Sequence, residues 1–374
     1  RRMMSTCDLG WAGAWTGIGR GRRAVANDAV NTRVSSDSNH ARRDPRVHLG
    51  RGKRRCAHAG WLRRGDSHLS LRSVDPLTHT LLGGGVAYAL GHRTLGRTAA
   101  AVGVAAGLLP DADVFLRSAT DPLFAVEMHR GFSHALPFAP VGAAIAAAPW
   151  LLRRAGRAQA GALWGVALAA YVSHILLDAA TSYGTRMFWP FSDVRVGWDY
   201  VAVVDPAVTL PLLVGLVWSL LRASPTAVRT GLAVVVTYLG LGALQRARVA
   251  EAQERVAAAR GHTLERREIM PTLGNLFVWR TLYLEDGKIH SDRIRVGLSG
   301  QPTFIAGWAL PEVTEADLRP EERPAAAHRD SFRRFRHFSG AWVGRSPDDP
   351  TVLGDMRYSL STAAFDPIWG IRLG

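Results

Sequence analysis

Residues 171–184 read YVSHILLDAATSYG and end an apolar run, residues 161–170, that contains no charged side chain. Positions four apart lie on one face of a helix, so His174 and Asp178 point to the same place. Ionisable groups in so apolar a helix are costly to bury and usually serve a function. For this stretch alone, the alternative is a neutral histidine hydrogen-bonded to the aspartate in a core. The stretch predicts a buried helix with a polar site near its end.

Five further apolar segments accompany this helix in a chain of 374 residues, which is long enough for two or more domains. The six segments cover residues 78–92, 97–116, 135–152, 161–180, 206–222 and 230–245. The second, fourth and fifth approach the ~20 residues that cross a bilayer, whereas the first and last are short and suit re-entrant, tilted or interfacial helices. A soluble all-α core is the alternative, and the succession of uncharged, Gly- and Ala-rich runs argues against it. We therefore predict an all-α polytopic membrane bundle over residues 74–245.

Positive charge is distributed unevenly between the loops. The loops after the first, third and fifth segments are short and contain arginines but no acid: Arg93, Arg97, Arg153, Arg154, Arg157, Arg222 and Arg229. The loops 117–134 and 181–205 are longer and also contain acidic residues. The positive-inside rule assigns the short loops to the cytoplasm. The longer loops and the chain after residue 245 then face outward, provided that all six segments cross.

Residues 1–73 differ from the rest of the chain. They carry 16 Lys and Arg against five Asp, begin with Arg, and contain both cysteines, Cys7 and Cys56. A basic arm that binds nucleic acid is one interpretation, and a signal peptide is disfavoured because no adequate apolar region occurs before residue 76. We favour a third interpretation, an upstream region translated in frame before a natural start at Val74, and expect disorder. The net charge of +15 therefore does not indicate a nucleic-acid partner.

Residues 246–374 have the pattern of a soluble domain. Residues 246–261 predict a charged, Ala-rich helix that leads out of the membrane. Leu276–Leu284 and Ile289–Leu298 flank an Asp-Gly turn and predict a β-hairpin. A second strand pair is expected at residues 341–343 and 355–360. We predict a small, strand-rich α+β domain.

Seven ionisable residues occur at the starts of odd-numbered segments or the ends of even-numbered ones: His79, Asp111, Asp113, His129, His134, His174 and Asp178. Antiparallel neighbours bring these ends to one membrane face, so the seven side chains are expected to converge. His92 falls at the opposite face. Asp111 and Asp113 cannot share a helix face at this spacing, so the backbone must turn there, and Pro110 provides a reason.

Histidine and aspartate without cysteine are the ligands of Zn²⁺, Mn²⁺ or Fe²⁺ in hydrolytic centres. Seven ligands exceed the needs of one tetrahedral ion, so two ions that share a bridging carboxylate fit better than one. We expect Arg130 to stabilise negative charge in a transition state and Gly131 to let the backbone approach a phosphate or carbonyl oxygen. Asp205 opens the fifth segment at the same face, either as a further site residue or as a helix cap.

Five motifs together resemble the YdjM-like family of membrane-bound, metal-dependent hydrolases. They are DPLTHTLLGG at 75–84, LLPDAD at 108–113, HRGFSHALPF at 129–138, SHILLDAATSYG at 173–184 and WPF at 189–191. Members typically open with Met-Asp-Pro-Leu-Thr-His, which puts Val74 where an initiating Met belongs. The motif FDPIWGIR at 365–372 looks like the C-terminal extension of longer members. The resemblance implies a metal-dependent hydrolase, and it supplies no substrate.

The combined prediction is a multi-pass protein of the inner membrane in which one or two divalent ions near the outer face activate water. The water would attack an ester or phosphoester, and a site at membrane depth favours a lipid or lipid-linked substrate. The alternatives are a metal-ion carrier or a non-catalytic, metal-binding scaffold whose soluble tail binds a partner. Polar groups crowd one end of the bundle, which argues against a carrier but not against a scaffold.

Overall fold

The computed structural model describes residues 75–118, 121, 123–320, 322, 326–359 and 365–373. The predictions for residues 1–73 lie outside these residues. The described chain begins with a helical region and ends with a β-sheet region, in the order that the sequence predicts.

The helical region contains a helix at each of the six apolar segments, together with two short ones. Their bounds are α1 Pro76–Leu95, α2 Arg97–Leu108, α3 Phe124–Met128, α4 Ala139–Leu151, α5 Arg154–Arg157, α6 Ala160–Ala180, α7 Pro206–Arg222 and α8 Thr226–Ala259. Short 3-10 turns connect α2 to α3 and α3 to α4.

Two helices, α6 and α8, are long and apolar enough to cross a membrane. A third candidate span arises if the segments Phe124–His134 and Leu136–Leu151, which meet at 59°, are one bent span. The expectation of near-spanning length is wrong for the second segment, because α2 has only 12 residues before Pro110 starts a 3-10 helix. The short last segment and the charged helix predicted over residues 246–261 form one helix, α8, of 34 residues, so the charged helix is confirmed and the shortness of the last helix is wrong.

Glycines let α1 and α2 pack with their backbones in contact. A Cβ at Gly103 would lie 2.3 Å from the carbonyl oxygen of Gly83, and one at Gly107 would lie 2.5 Å from that of His79. Close approach at small residues is a common way for helices to associate in membranes. Since α6 packs against both helices, the start of α1 and the end of α2 meet the last turns of α6.

The C-terminal region contains two antiparallel sheets and one further helix. The strands of the first sheet, in the order β1-β2-β3-β4, are Arg266–Pro271, Val278–Glu285, Lys288–Arg295 and Thr303–Pro311; those of the second, in the order β5-β6-β7, are Val343–Arg345, Val352–Asp355 and Gly370–Arg372. The helix α9, Ala326–Phe338, lies between the sheets in sequence. The predicted hairpin is confirmed as β2 and β3 around Asp286-Gly287, both with positive φ. A second strand pair is present as β5 with β6, but the predicted bounds are largely wrong. The predicted strand 355–360 shares only Asp355 with β6, because residues 356–358 form a 3-10 turn.

The C-terminal region packs against the loops of the helical region. Phe332, Phe335 and Phe338 of α9 share one hydrophobic cluster with Leu123, Val126 and Tyr183. Arg334 of α9 forms ion pairs with Glu127 at 2.6 Å and Asp121 at 2.8 Å. The C-terminal region thus lies on the loops that follow α2 and α6.

Candidate metal centre

Four side chains converge inside the helical region: Asp111, His134, His174 and Asp178. One potential ligand atom of each lies within 4.8 Å of the others. The side chains of His134, His174 and Asp178 are fully buried, and that of Asp111 is 9% exposed. Since buried ionisable groups are costly without a charged partner, a group of this composition suits a cation.

Local structure explains how each element contributes to this group. His174 and Asp178 lie one turn apart on α6, with Nε2 3.5 Å from Oδ2, as their spacing predicts. Asp111 lies on the 3-10 helix that starts at Pro110, so the predicted turn is present. His134 ends the short 3-10 turn of the HRGFSH motif. The turn at Pro110 directs Asp111 toward the group and Asp113 toward its supporting residues.

Both histidines of the group present Nε2 to its centre. Nδ1 of His174 lies 2.7 Å from the carbonyl oxygen of Gly107, which can only accept a hydrogen bond, so the proton of His174 is on Nδ1. Nδ1 of His134 lies 3.2 Å from Oδ2 of Asp113, which can accept its proton, and Nε2 of His134 lies 3.1 Å from Oδ2 of Asp178. The two Nε2 atoms are 3.0 Å apart. Neutral imidazoles in this arrangement direct two lone pairs at one point, where a cation would attract both.

Carboxylate oxygens face the same two Nε2 atoms. Oδ2 of Asp178 lies 3.1 Å from Nε2 of His134, and Oδ1 of Asp111 lies 3.5 Å from Nε2 of His134 and 3.7 Å from that of His174. In the described part of the chain, Oδ2 of Asp111 and Oδ2 of Asp178 have no hydrogen-bond partner. Buried polar atoms are normally satisfied, and an orphaned carboxylate oxygen carries a desolvation penalty. A divalent ion held by two imidazoles and two carboxylates would remove this penalty, so the residues present fit a metal ion.

The other three predicted ligands surround the four. Nε2 of His79 lies 3.1 Å from Oδ1 of Asp178. Nδ1 of His129 lies 2.9 Å from Oδ1 of Asp113, whose other oxygen accepts from the hydroxyl of Ser133 at 2.8 Å. All seven predicted residues therefore come together. His92 contacts Tyr88 on the later turns of α1, away from the group.

Arg130 is 3% exposed and reaches into this cluster. Its Nη2 lies 2.8 Å from Oδ1 of Asp178, and its Nη1 donates to the hydroxyl of Thr181 at 2.9 Å. Its φ of 56° is unusual for a residue other than glycine, and such strain is concentrated at functional sites. The local backbone requires a glycine at position 131, because a Cβ there would lie 2.7 Å from the carbonyl oxygen of Met128.

Asp205 caps a helix. Its Oδ1 accepts from the backbone N–H of Ala207 at 2.9 Å, and its Oδ2 accepts from the hydroxyl of Tyr238 at 2.9 Å. Of the two expectations for Asp205, these contacts match the cap, and the group of four does not include it.

Sequence reasoning missed several supporting residues. Tyr171 donates from its hydroxyl to the carbonyl oxygen of Ser133 at 2.6 Å, and its ring occupies the space left by Gly142. The ring of Tyr183 lies under the guanidinium of Arg130, with 4.8 Å between the ring centroid and Cζ of Arg130. The available signals were the position of Tyr171 one turn before His174 and the presence of Tyr183 in the same motif.

Residues 74–249 match the model of a protein family described as YdjM inner membrane protein. No curated protein and no solved structure shows significant similarity to the chain.

Proposed function

Residues 74–249 belong to the YdjM family of inner membrane proteins, and from that premise we propose that this protein is a membrane-bound, metal-dependent hydrolase. One observation carries the proposal: two imidazole Nε2 atoms and two carboxylates converge on a buried point, with the Nδ1 proton of each imidazole held by an acceptor. Oriented imidazole and carboxylate ligands of this kind suit Zn²⁺, Mn²⁺ or Fe²⁺.

We assign one ion to Asp111, His134, His174 and Asp178. Asp113 and His129 already pair with each other at 2.9 Å, which favours a supporting role over the second ion that seven ligands suggest. The ring of His79 lies 3.9 Å from that of His174, and its Nε2 contacts Oδ1 of Asp178, so that His79 would orient that carboxylate.

When bound, such an ion supplies hydroxide from water and polarises an ester or phosphoester oxygen. The residues of the chain prepare this step. Asp113 holds the Nδ1 proton of His134, and the carbonyl of Gly107 holds that of His174, so both Nε2 atoms remain free to coordinate. Arg130, beside Asp178, would stabilise negative charge that develops on the substrate.

We further propose that the substrate is a lipid or lipid-linked ester and that the site faces the outer side of the membrane. Exposed aromatic side chains lie on the segments that carry the site: Phe115, 76% exposed, ends the 3-10 helix of Asp111, and Trp189 and Phe191, 39% and 84% exposed, lie in the loop after α6. Aromatic residues are enriched at the boundary between lipid and water. Arginines cluster where α1 meets α2, between α4 and α6, and where α7 meets α8, at the other ends of these helices, which supports a cytoplasmic position for those ends.

Elemental analysis and lipid hydrolysis test the proposal together. We expect the purified protein to hold a divalent metal and to release ³²P or fatty acid from labelled lipid extracts. The double variant His174→Ala with Asp178→Asn should lose the metal of this centre and at least about 100-fold of the turnover. His92→Ala, on the later turns of α1, is the matched control and should retain both.

A chelator should abolish turnover by the wild type, and added Zn²⁺ or Mn²⁺ should restore it. Metal that the double variant loses, without turnover by the wild type, would identify a non-catalytic metal-binding protein instead. Equal turnover by wild type and the double variant would refute the hydrolase at this site.

A further inference from the structure

A second cluster of metal-ligating side chains lies in the C-terminal region: His262, Glu285 and His290. One potential ligand atom of each lies within 4.8 Å of the others, and all three residues are half-buried. We propose that this cluster is a second divalent metal site, suited to Zn²⁺, that joins the end of α8 to the β2–β3 hairpin. It shares no residue with the centre in the helical region.

Strand geometry brings the ligands together. Side chains two apart on a strand point to the same face, so Tyr283 and Glu285 of β2 share one. His290 of β3 lies directly opposite Tyr283, which makes it the diagonal neighbour of Glu285. His262 reaches this face from the connection after α8, and its ring lies 4.7 Å from that of His290. One ion would therefore join the connection after α8 to both strands of the β2–β3 hairpin.

The ligand atoms are available to an ion. Within the described residues, Nε2 of His290 is buried and has no hydrogen-bond partner. The ring of His290 stacks on that of Tyr283, with 4.7 Å between centroids and 6° between planes, which holds its orientation. Nδ1 of His262 lies 2.9 Å from the hydroxyl of Tyr283, which leaves Nε2 for coordination. Ligating histidines usually have their second nitrogen held in this way.

Arg260, which reaches Tyr283 beside the cluster, is already paired with an acid. Its Nη1 and Nη2 lie 2.7 and 3.0 Å from the two carboxylate oxygens of Asp292, and Nη1 also donates to the hydroxyl of Tyr283 at 2.6 Å. The hydroxyl oxygen of Tyr283 can accept from both Arg260 and a protonated Nδ1 of His262. Arg260 thus holds the hydroxyl of Tyr283, which contacts His262, while Asp292 offsets the repulsion that the charge of Arg260 would exert on a metal ion.

Two imidazoles and one carboxylate leave a fourth position of tetrahedral Zn²⁺ for water. Because the three ligands belong to the folded arrangement of α8 and the hairpin, an ion bound here stabilises this region by mass action. The site therefore predicts a metal-dependent rise in the melting temperature of the protein, separate from any effect on turnover.

Zinc stoichiometry of the full chain in detergent tests the proposal. After equilibrium dialysis at saturating Zn²⁺, we expect two equivalents in the wild type and one in His262→Ala with His290→Ala. His337→Ala, a change to a histidine of α9 outside the cluster, should keep two. The double variant His174→Ala with Asp178→Asn should keep the C-terminal equivalent, so loss of either site is read independently.

The isosteric change Glu285→Gln provides a second test in case the alanine variant misfolds. It should leave the metal-free melting temperature unchanged and weaken Zn²⁺ binding at the C-terminal site at least tenfold. Unchanged stoichiometry in His262→Ala with His290→Ala, or equal stabilisation of that variant and the wild type by Zn²⁺, would overturn the second site. If the wild type binds a single equivalent, and only His262→Ala with His290→Ala loses it, the result supports the C-terminal site and counts against the centre in the helical region.

Discussion

Asp113 lies behind the candidate ligands and contacts four residues of the HRGFSH motif. Its oxygens accept from the backbone N–H of Arg130 at 3.0 Å and from the hydroxyl of Ser133 at 2.8 Å, and they face the Nδ1 atoms of His129 and His134 at 2.9 and 3.2 Å. A carboxylate in this position selects the tautomer of a ligating histidine and increases its basicity. The geometry of the site therefore depends on Asp113, although Asp113 need not coordinate the ion.

We predict that Asp113→Asn weakens metal binding about 10- to 100-fold. An amide presents an N–H where His134 needs an acceptor and removes the charge that supports imidazole donation. Competition with a chelating dye measures the affinity, and Asp193→Asn, an exposed change in the loop after α6, is the matched control. Wild-type affinity in Asp113→Asn would contradict the supporting role of Asp113.

At the scale of elements, the α1–α2 hairpin sets the depth at which His79 and His174 meet. Backbone contact at Gly83, Gly103 and Gly107 brings α2 close enough for the carbonyl of Gly107 to accept from His174. A larger residue in this row would separate α1 from α2 and so shift the carbonyl of Gly107 relative to α6, which carries His174. Packing by small residues thus determines ligand geometry as well as stability.

We predict that Gly103→Ala destabilises the protein by about 1–3 kcal/mol, because the added methyl would overlap the carbonyl oxygen of Gly83. Gly165→Ala is the matched control, since a Cβ at Gly165 of α6 meets nothing within 4 Å. The control should be neutral or more stable by up to about 1 kcal/mol. Denaturant unfolding in detergent measures both, and equal shifts would show that the hairpin tolerates a wider spacing.

At the scale of the whole molecule, the C-terminal region contacts the candidate metal centre through Tyr183. The ring of Tyr183 lies 5.4 Å from that of His129 and 5.7 Å from that of Phe338. Arg334 adds ion pairs to Glu127 and Asp121, and these two partners raise its pKa. The loop that leads to the HRGFSH motif is therefore held between the helices and α9.

We predict that Arg334→Ala loosens this docking by about 1 kcal/mol, the usual scale for a partly exposed, charge-assisted pair. Amide hydrogen exchange in residues 123–129 should become about fivefold faster, as such a change in opening free energy implies. Arg333→Ala is the control, because Arg333 is 66% exposed and pairs with Glu315 on the same side of the interface. Equal exchange rates in both variants would contradict the proposal that the ion pairs of Arg334 hold this loop against α9.

Local patterns in the sequence were sufficient for much of the fold and for the membership of the site. Hydropathy located the six helical segments, strand alternation around Asp286-Gly287 located the hairpin, and the spacing of His174 and Asp178 put them on one face. Such patterns depend on neighbours within a turn or two, which is why they can be read without coordinates. They misjudged the lengths of α2 and α8, because a helix ends where a local break such as Pro110 outweighs apolar composition.

Only the tertiary structure decided which atoms face which. The proton on His174 is assigned by the carbonyl of Gly107, 67 residues away, and the two Nε2 atoms that meet belong to residues 40 apart. The cap at Asp205, the docking of α9 and the cluster around His290 likewise join distant parts of the chain. Composition and periodicity carry no information about such contacts, because ångström-scale geometry between remote residues arises only when the whole chain packs.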